Sequence, residues 1–144
     1  MRISDVLRDK GEAVVTVAPE ASVRELIGSL AEHNVGALVV SADGETIEGI
    51  VSERDVVRAL VEAGDQVFDV KVSSIMTSDV HSCAAEDDVP TLMRLMTDER
   101  IRHVPVVADG RLSGIVSIGD VVKHHIGDLE LQRDSLQAYI SSGP

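Results

Sequence analysis

Apolar positions along the chain alternate between two spacings. "AVVTV" (Ala13–Val17) is a short β-rich run that Pro19 ends, and from there Val23, Leu26, Ile27 and Leu30 fall three and four residues apart, the spacing of a helix with one buried face. Ser22 followed by Glu25 makes a capping box at its start. "GALVVS" and "IEGIVS" flank "ADGET", which predicts two strands joined by a hairpin, and a second helix follows from Glu53 to about Ala63. The same order then recurs: a strand near Val80–Cys83, a helix from Val89 capped by Asp88, strands "HVPVV" and "LSGIVS" around "ADGR", and a helix from Ile118. Pro90 is tolerated in a first turn, where the amide it lacks has no intrahelical partner.

The recurrence holds residue by residue. Val23 and Val89, Leu26 and Leu92, Val40 and Val106, and the two "ADG" turns all stand 66 residues apart. Beyond one extra residue in the first turn the spacing becomes 65, and "GIVSERD" (Gly49–Asp55) falls on "GIVSIGD" (Gly114–Asp120). The chain is a tandem duplication with a linker near Glu62–Thr77. The predicted fold is mixed α/β (α+β): two β-α-β-β-α repeats, related by a pseudo-twofold axis and sharing one core, because neither has enough sheet to bury its own apolar face. Residues 1–63 form the first repeat, 64–126 the linker and second repeat, and 127–144 a helical tail. In the tail Leu129, Leu136 and Ile140 make a helical stripe, with Asp128 as the expected N-cap. A helix of about 12 residues is marginal alone, so it is expected to pack on its own module or on a partner copy, and a stripe beside the dimer surface favours the partner copy.

The duplicated corner carries the candidate chemistry. Ser-x-x-Asp is a capping box in its own right, and for one copy alone that reading suffices. Yet free amides at a helix start also attract anions, and an acidic residue beside them can accept both hydroxyls of a ribose. Ser52 with Asp55, and Ser117 with Asp120, therefore read either as helix caps or as two nucleoside-phosphate seats.

Composition narrows the choice. The formal charge is −12, from 25 acidic against 13 basic residues, which opposes binding to nucleic acid or to anionic membranes. Aromatic residues make up only 1% of 144 residues, so the core is expected to be aliphatic. Cys83 is the single cysteine, and the charged start "MRISDVLRDK" with no long apolar run leads us to expect a cytoplasmic protein. His124 and His125 are adjacent on a helix and point about 100° apart, which does not make an i, i+4 metal pair. Neither a catalytic constellation nor a metal site is expected.

The paired "GIVSERD" and "GIVSIGD" corners, each after an apolar strand and an Ala-Asp-Gly turn, with "VSSIMTSDV" before the second copy and "RHVPVV" within it, resemble a tandem pair of CBS domains over residues 3–126. The resemblance implies a binding module rather than an enzyme. It implies an adenosine-containing ligand (AMP, ADP, ATP, NAD or S-adenosylmethionine) held between the repeats, no obligatory cofactor, and a homodimer acting on a regulated protein not named by the sequence. Carried onto this chain, Asp55 and Asp120 hold ribose hydroxyls, with Ser52 and Ser117 beside them. The opposite wall at Asp55 is Thr77, Ile101, Arg102 and Pro105, and at Asp120 it is Val35, Gly36 and Ala37. Arg54, Arg102 and His103 are the groups placed for phosphate. Because Gly119 replaces Arg54, and Gly36–Ala37 replace Arg102–His103, the Asp55 site is expected to take more phosphate charge. Two other readings stand beside this one: a structural or partner-binding scaffold without a ligand, and an enzyme acting on a bound nucleotide.

Overall fold

The computed structural model describes residues 1–11 and 13–143. Each repeat is laid out by side chains that take otherwise unpartnered amides at helix starts. Ser22 Oγ accepts from Glu25 N at 3.1 Å and opens helix α2 (Val23–His33), and Asp88 Oδ2 accepts from Thr91 N at 3.1 Å and opens α4 (Val89–Asp98). Ser52 and Ser117 open α3 (Glu53–Ala63) and α5 (Ile118–Ser141). Ahead of these lies an eight-residue helix, α1 (Ile3–Lys10), that the apolar pattern did not announce.

In the first repeat β1 (Thr16–Val17) runs parallel to β2 (Ala37–Val40), which pairs antiparallel with β3 (Gly49–Ser52). The second repeat keeps the hairpin, β4 (His103–Ala108) against β5 (Arg111–Ser117), joined by Asp109 and Gly110, both at positive φ. The expected strand at Val80–Cys83 contracts to Cys83, which bridges in parallel to Val106, because Asp87 Oδ2 at once draws Ala84 N into a turn.

The repeats exchange their closing segments. Ile3 N and Ser4 N donate to Asp87 O and Ala85 O, each at 2.9 Å, and Val89 N donates to Met1 O at 3.1 Å. The linker makes the same bonds on the first repeat: Val72 N to Ala21 O at 2.8 Å, Ser73 N to Pro19 O at 3.1 Å, and Val23 N to Val70 O at 3.0 Å. The start of the chain thus completes the second repeat, and the linker completes the first.

The core follows this exchange. One cluster joins Ile3, Val6 and Leu7 to Val89, Leu92, Met96, Val104, Val106, Val116 and Val121, and another joins Val17, Leu26, Leu30, Leu38, Val40 and Val51 to Val72. Two cores replace the one shared core expected, since each repeat gains from its borrowed segment the apolar cover it lacks. Ile3 is fully buried, and burying such a side chain contributes about 1.5–3 kcal/mol.

The tail also differs from expectation. Helix α5 runs unbroken over 24 residues, through Gly127 and Asp128. Asp128 accepts from Gln132 Nε2 at 3.2 Å and does not cap a new helix. Ile118, Val122, Ile126 and Leu129 continue into Leu136 and Ile140 on one helical period, so a single exposed stripe spans the supposed boundary.

Glycines mark where the exchanged segments press on the strands. A Cβ on Gly49 would stand 2.7 Å from Met76 Sδ and 2.9 Å from Thr77 O, and one on Gly114 would stand 3.0 Å from Leu7 Cδ2. Met76 and Leu7 are therefore counterparts. Gly49→Ala is expected to destabilise the fold by about 1–3 kcal/mol in urea unfolding, because backbone must move. Gly114→Ala should cost less, since the Leu7 side chain can turn away; equal losses would argue against this packing.

Candidate functional site

Both duplicated corners form capping boxes. Asp55 N donates to Ser52 Oγ at 3.3 Å, while Ser52 N and Oγ donate to Asp55 Oδ2 at 2.9 and 3.1 Å. At the second corner Asp120 N donates to Ser117 Oγ at 3.1 Å and Ser117 N to Asp120 Oδ2 at 2.9 Å. The first amides of the two helices are also engaged, Glu53 N with Gly36 O at 3.0 Å and Ile118 N with Arg102 O at 2.8 Å. Fewer helix-start amides are free for an anion than the sequence suggested. The hydrogen bonds to Asp55 all fall on Oδ2, and among the described residues none falls on Oδ1.

Around Asp55 the repeats enclose a cleft of about 800 Å³. Of the residues anticipated for a site, Ser52, Arg54, Asp55, Thr77, Ile101, Arg102 and His103 line it. Thr77 is fixed there by two bonds with Ile50, N to O in both directions at 2.9 Å. Gly36 and Ala37, assigned from sequence to the wall opposite Asp120, line the cleft at Asp55. The first amide of α3 is bonded to Gly36 O, which ties that strand end to the Asp55 corner. Pro105 is buried within β4, and Val35 is exposed beside the α2 terminus; neither lines this cleft.

Arg58 and Arg100 line the cleft and were not anticipated. Arg58 was legible, since it stands four residues beyond Arg54 on the same helix. Arg100 sits at φ 54, the left-handed region, where its counterpart in the first repeat is Asn34 at φ 53. Asparagine tolerates that conformation better than arginine does. Four arginines, Arg54, Arg58, Arg100 and Arg102, thus face one cleft together with Glu53, Asp55, Asp79 and Glu99. The cleft is locally balanced in a chain whose net charge is −12.

Asp120 lies in different surroundings. It lines a depression of about 690 Å³ between α1 and α5, beside Lys10, Lys123 and His124. Lys10 Nζ donates to Asp120 Oδ2 at 2.6 Å and to Ile115 O at 2.8 Å. Burial raises the Asp120 carboxyl, but bonds from Lys10 and the Ser117 amide outweigh it, and the net result lies below the usual range. His103 stands between the corners, its ring close to Gly36 and to Glu53.

A family model for the CBS domain matches residues 3–62 and 72–127. The chain belongs to the CBS domain family and carries two copies, a tandem pair. It is 38% identical over 149 residues to a mitochondrial CBS domain-containing protein of Arabidopsis thaliana, covering 98% of this chain and 72% of the relative. Among solved structures, a CBS-domain containing protein from Agrobacterium tumefaciens is 45% identical with a TM-score of 0.84, over 87% of this chain and 99% of that one. A CBS domain protein from Pyrobaculum aerophilum, complexed with AMP, is 32% identical with a TM-score of 0.74, over 83% and 89% of the two chains. Among the described residues no helix is long and apolar enough to cross a membrane.

Burial pushes the His103 ring below the ordinary histidine value of 6.5, with Lys10 adding to the effect and Asp120 and Glu53 opposing it. The unfolded chain then binds a proton in a window where the folded chain does not, so stability falls as pH drops below 6.5 and levels off at the folded value. Melting curves between pH 7.5 and 5 should show that fall, and His103→Gln should flatten it. An unchanged pH profile in the variant would assign the titration to another group.

Proposed function

We propose that this chain is a non-catalytic, cytoplasmic sensor that holds an adenosine nucleotide in the Asp55 cleft and reports it to a regulated protein as a homodimer. The observation that carries the reading is the meeting of Asp55, Thr77 and four arginines from both repeats in one cleft. Asp55 Oδ1 is free to accept from ribose hydroxyls while Oδ2 keeps the helix cap. Arg54, Arg58, Arg100 and Arg102 offer charge-assisted bonds to phosphate oxygens. Adenine lies between Ile50 of one repeat and Ile101 of the other. The AMP bound by the Pyrobaculum aerophilum protein supports this ligand class.

Four arginines favour ligands with more phosphate, so ATP and ADP should bind more tightly than adenosine, with an affinity that falls as salt rises. The complete capping boxes favour a second reading, a scaffold whose corners only hold helices. A thermal-shift panel separates the two. ATP at 100 times its dissociation constant should stabilise the protein by about 2.7 kcal/mol. Asp55→Asn should weaken binding about 10–100-fold, as should a 2′-deoxy ligand, through loss of one charge-assisted hydrogen bond. Lowered stability in Asp55→Asn with no ligand response in either protein would leave the scaffold reading.

The homodimer is supported by apolar side chains left uncovered on two helices: Val57, Leu60 and Val61 on α3, and Ile118, Val122, Ile126 and Leu129 on α5. Light scattering should give twice the chain mass, and Val61→Asp with Val122→Asp should give the monomer. A wild-type monomer at micromolar concentration would refute the dimer.

A further inference from the structure

The two Ser-x-x-Asp corners share a backbone and differ in what reaches them. At the first corner, among the described residues, no lysine, arginine or histidine stands within 4.0 Å of Asp55. At the second, Lys10 is seated with its ammonium 2.6 Å from Asp120 Oδ2 and 2.8 Å from Ile115 O. Both side chains of the pair are largely covered, at 31% and 26% exposure. The two segments that reach the corners are counterparts. Leu7 and Met76 lie over equivalent strand glycines, and three residues beyond them stand Lys10 and Asp79. The carbonyl of Ile50 is taken by the Thr77 amide, whereas that of Ile115 is taken by the lysine ammonium. One position of the exchanged segment thus carries a cation in one copy and an anion in the other.

We infer that Lys10 fills the second nucleoside seat of this chain from within, so that each chain binds one adenosine ligand, at Asp55. The inference rests on the proposed ribose-holding role of the corner aspartate. A ribose diol donates hydrogen bonds to a carboxylate, and the ammonium of Lys10, standing on the cap oxygen Oδ2 of Asp120, cancels the charge that makes the remaining oxygen a strong acceptor. The lysine is no loose tether. Helix α1 is anchored by the buried Ile3, Val6 and Leu7, so the plug is held by the core of the second repeat. No arginine stands where Arg54 stands in the first corner, since Gly119 takes that place, and a phosphate would find less there to offset removal of the lysine. Lys10 is therefore the residue that sets the ligand capacity of the pair.

Isothermal titration with AMP tests this on the full chain. Wild type should bind one AMP per chain, Asp55→Asn should bind it about 10–100-fold more weakly, and Lys10→Met should bind two. Lys10→Arg keeps the cation and should stay at one, and the double variant Lys10→Met with Asp55→Asn should bind one. Melting curves confirm that each variant is folded, and Lys10→Ala replaces Lys10→Met if the latter is not. Two AMP per wild-type chain, or one in both Lys10→Met and Lys10→Ala, overturns the inference while leaving the nucleotide reading in place. No AMP bound by any variant overturns both.

Discussion

Everything in this molecule depends on the exchange of closing segments between the repeats. A helix entry needs its first amides satisfied and its apolar face covered, and neither repeat supplies both from its own sequence. Met1–Ser4 closes the second repeat and Val70–Ser73 closes the first, through the same set of backbone bonds. Because the chain's start belongs to its second half, the two repeats form one cooperative unit although their cores are separate. The same exchange carries Lys10 and Thr77 to their corners, so part of the difference between the corners comes from segments outside the duplicated motif.

The duplicated hairpins, capped helices and Ser-x-x-Asp corners were legible in the sequence because each is local: a period, a turn residue, a cap. What was not legible came from contacts across the chain. Helix α1 reads as a charged, unremarkable start, and only Ala85 and Asp87, more than 80 residues away, give Ile3 and Ser4 their partners. The linker was read as a connection, but Val72 is a core residue. Gly127 and Asp128 read as a break, but the stripe from Ile118 to Ile140 keeps one period through them, and tertiary continuity outweighs a local cap signal. For the candidate site, Asp55, Thr77 and Arg102 were placed together by motif, whereas the position of Gly36 and Ala37 required knowing which strand end each helix start is bonded to.

The corners also leave room for one residue to serve structure and, as proposed, binding without conflict. A carboxylate has two oxygens, and the cap uses Oδ2 at both corners. A Ser-x-x-Asp pair is thus retained for helix initiation whether or not a ligand arrives, which is why its presence alone cannot distinguish a seat from a cap. The distinction lies in the neighbours. At Asp55 the neighbours are arginines around a cleft, and at Asp120 they are a lysine and a carbonyl beside a depression of similar size.

Charge explains why the two corners can diverge while the backbone does not. In a chain of net charge −12 any anion is repelled at long range. A phosphate-bearing ligand is then favoured where cations offset the acidic groups locally, and four arginines are gathered at the Asp55 cleft at a conformational cost, since Arg100 occupies a left-handed position suited to asparagine. An unpartnered, half-buried Asp120 would be a liability in the same acidic field, and a single lysine on an anchored helix removes it. Duplication supplies two equivalent frames, and under the proposed reading the side chain delivered to each, Lys10 or Asp79, sets whether its corner aspartate is left open to a ligand.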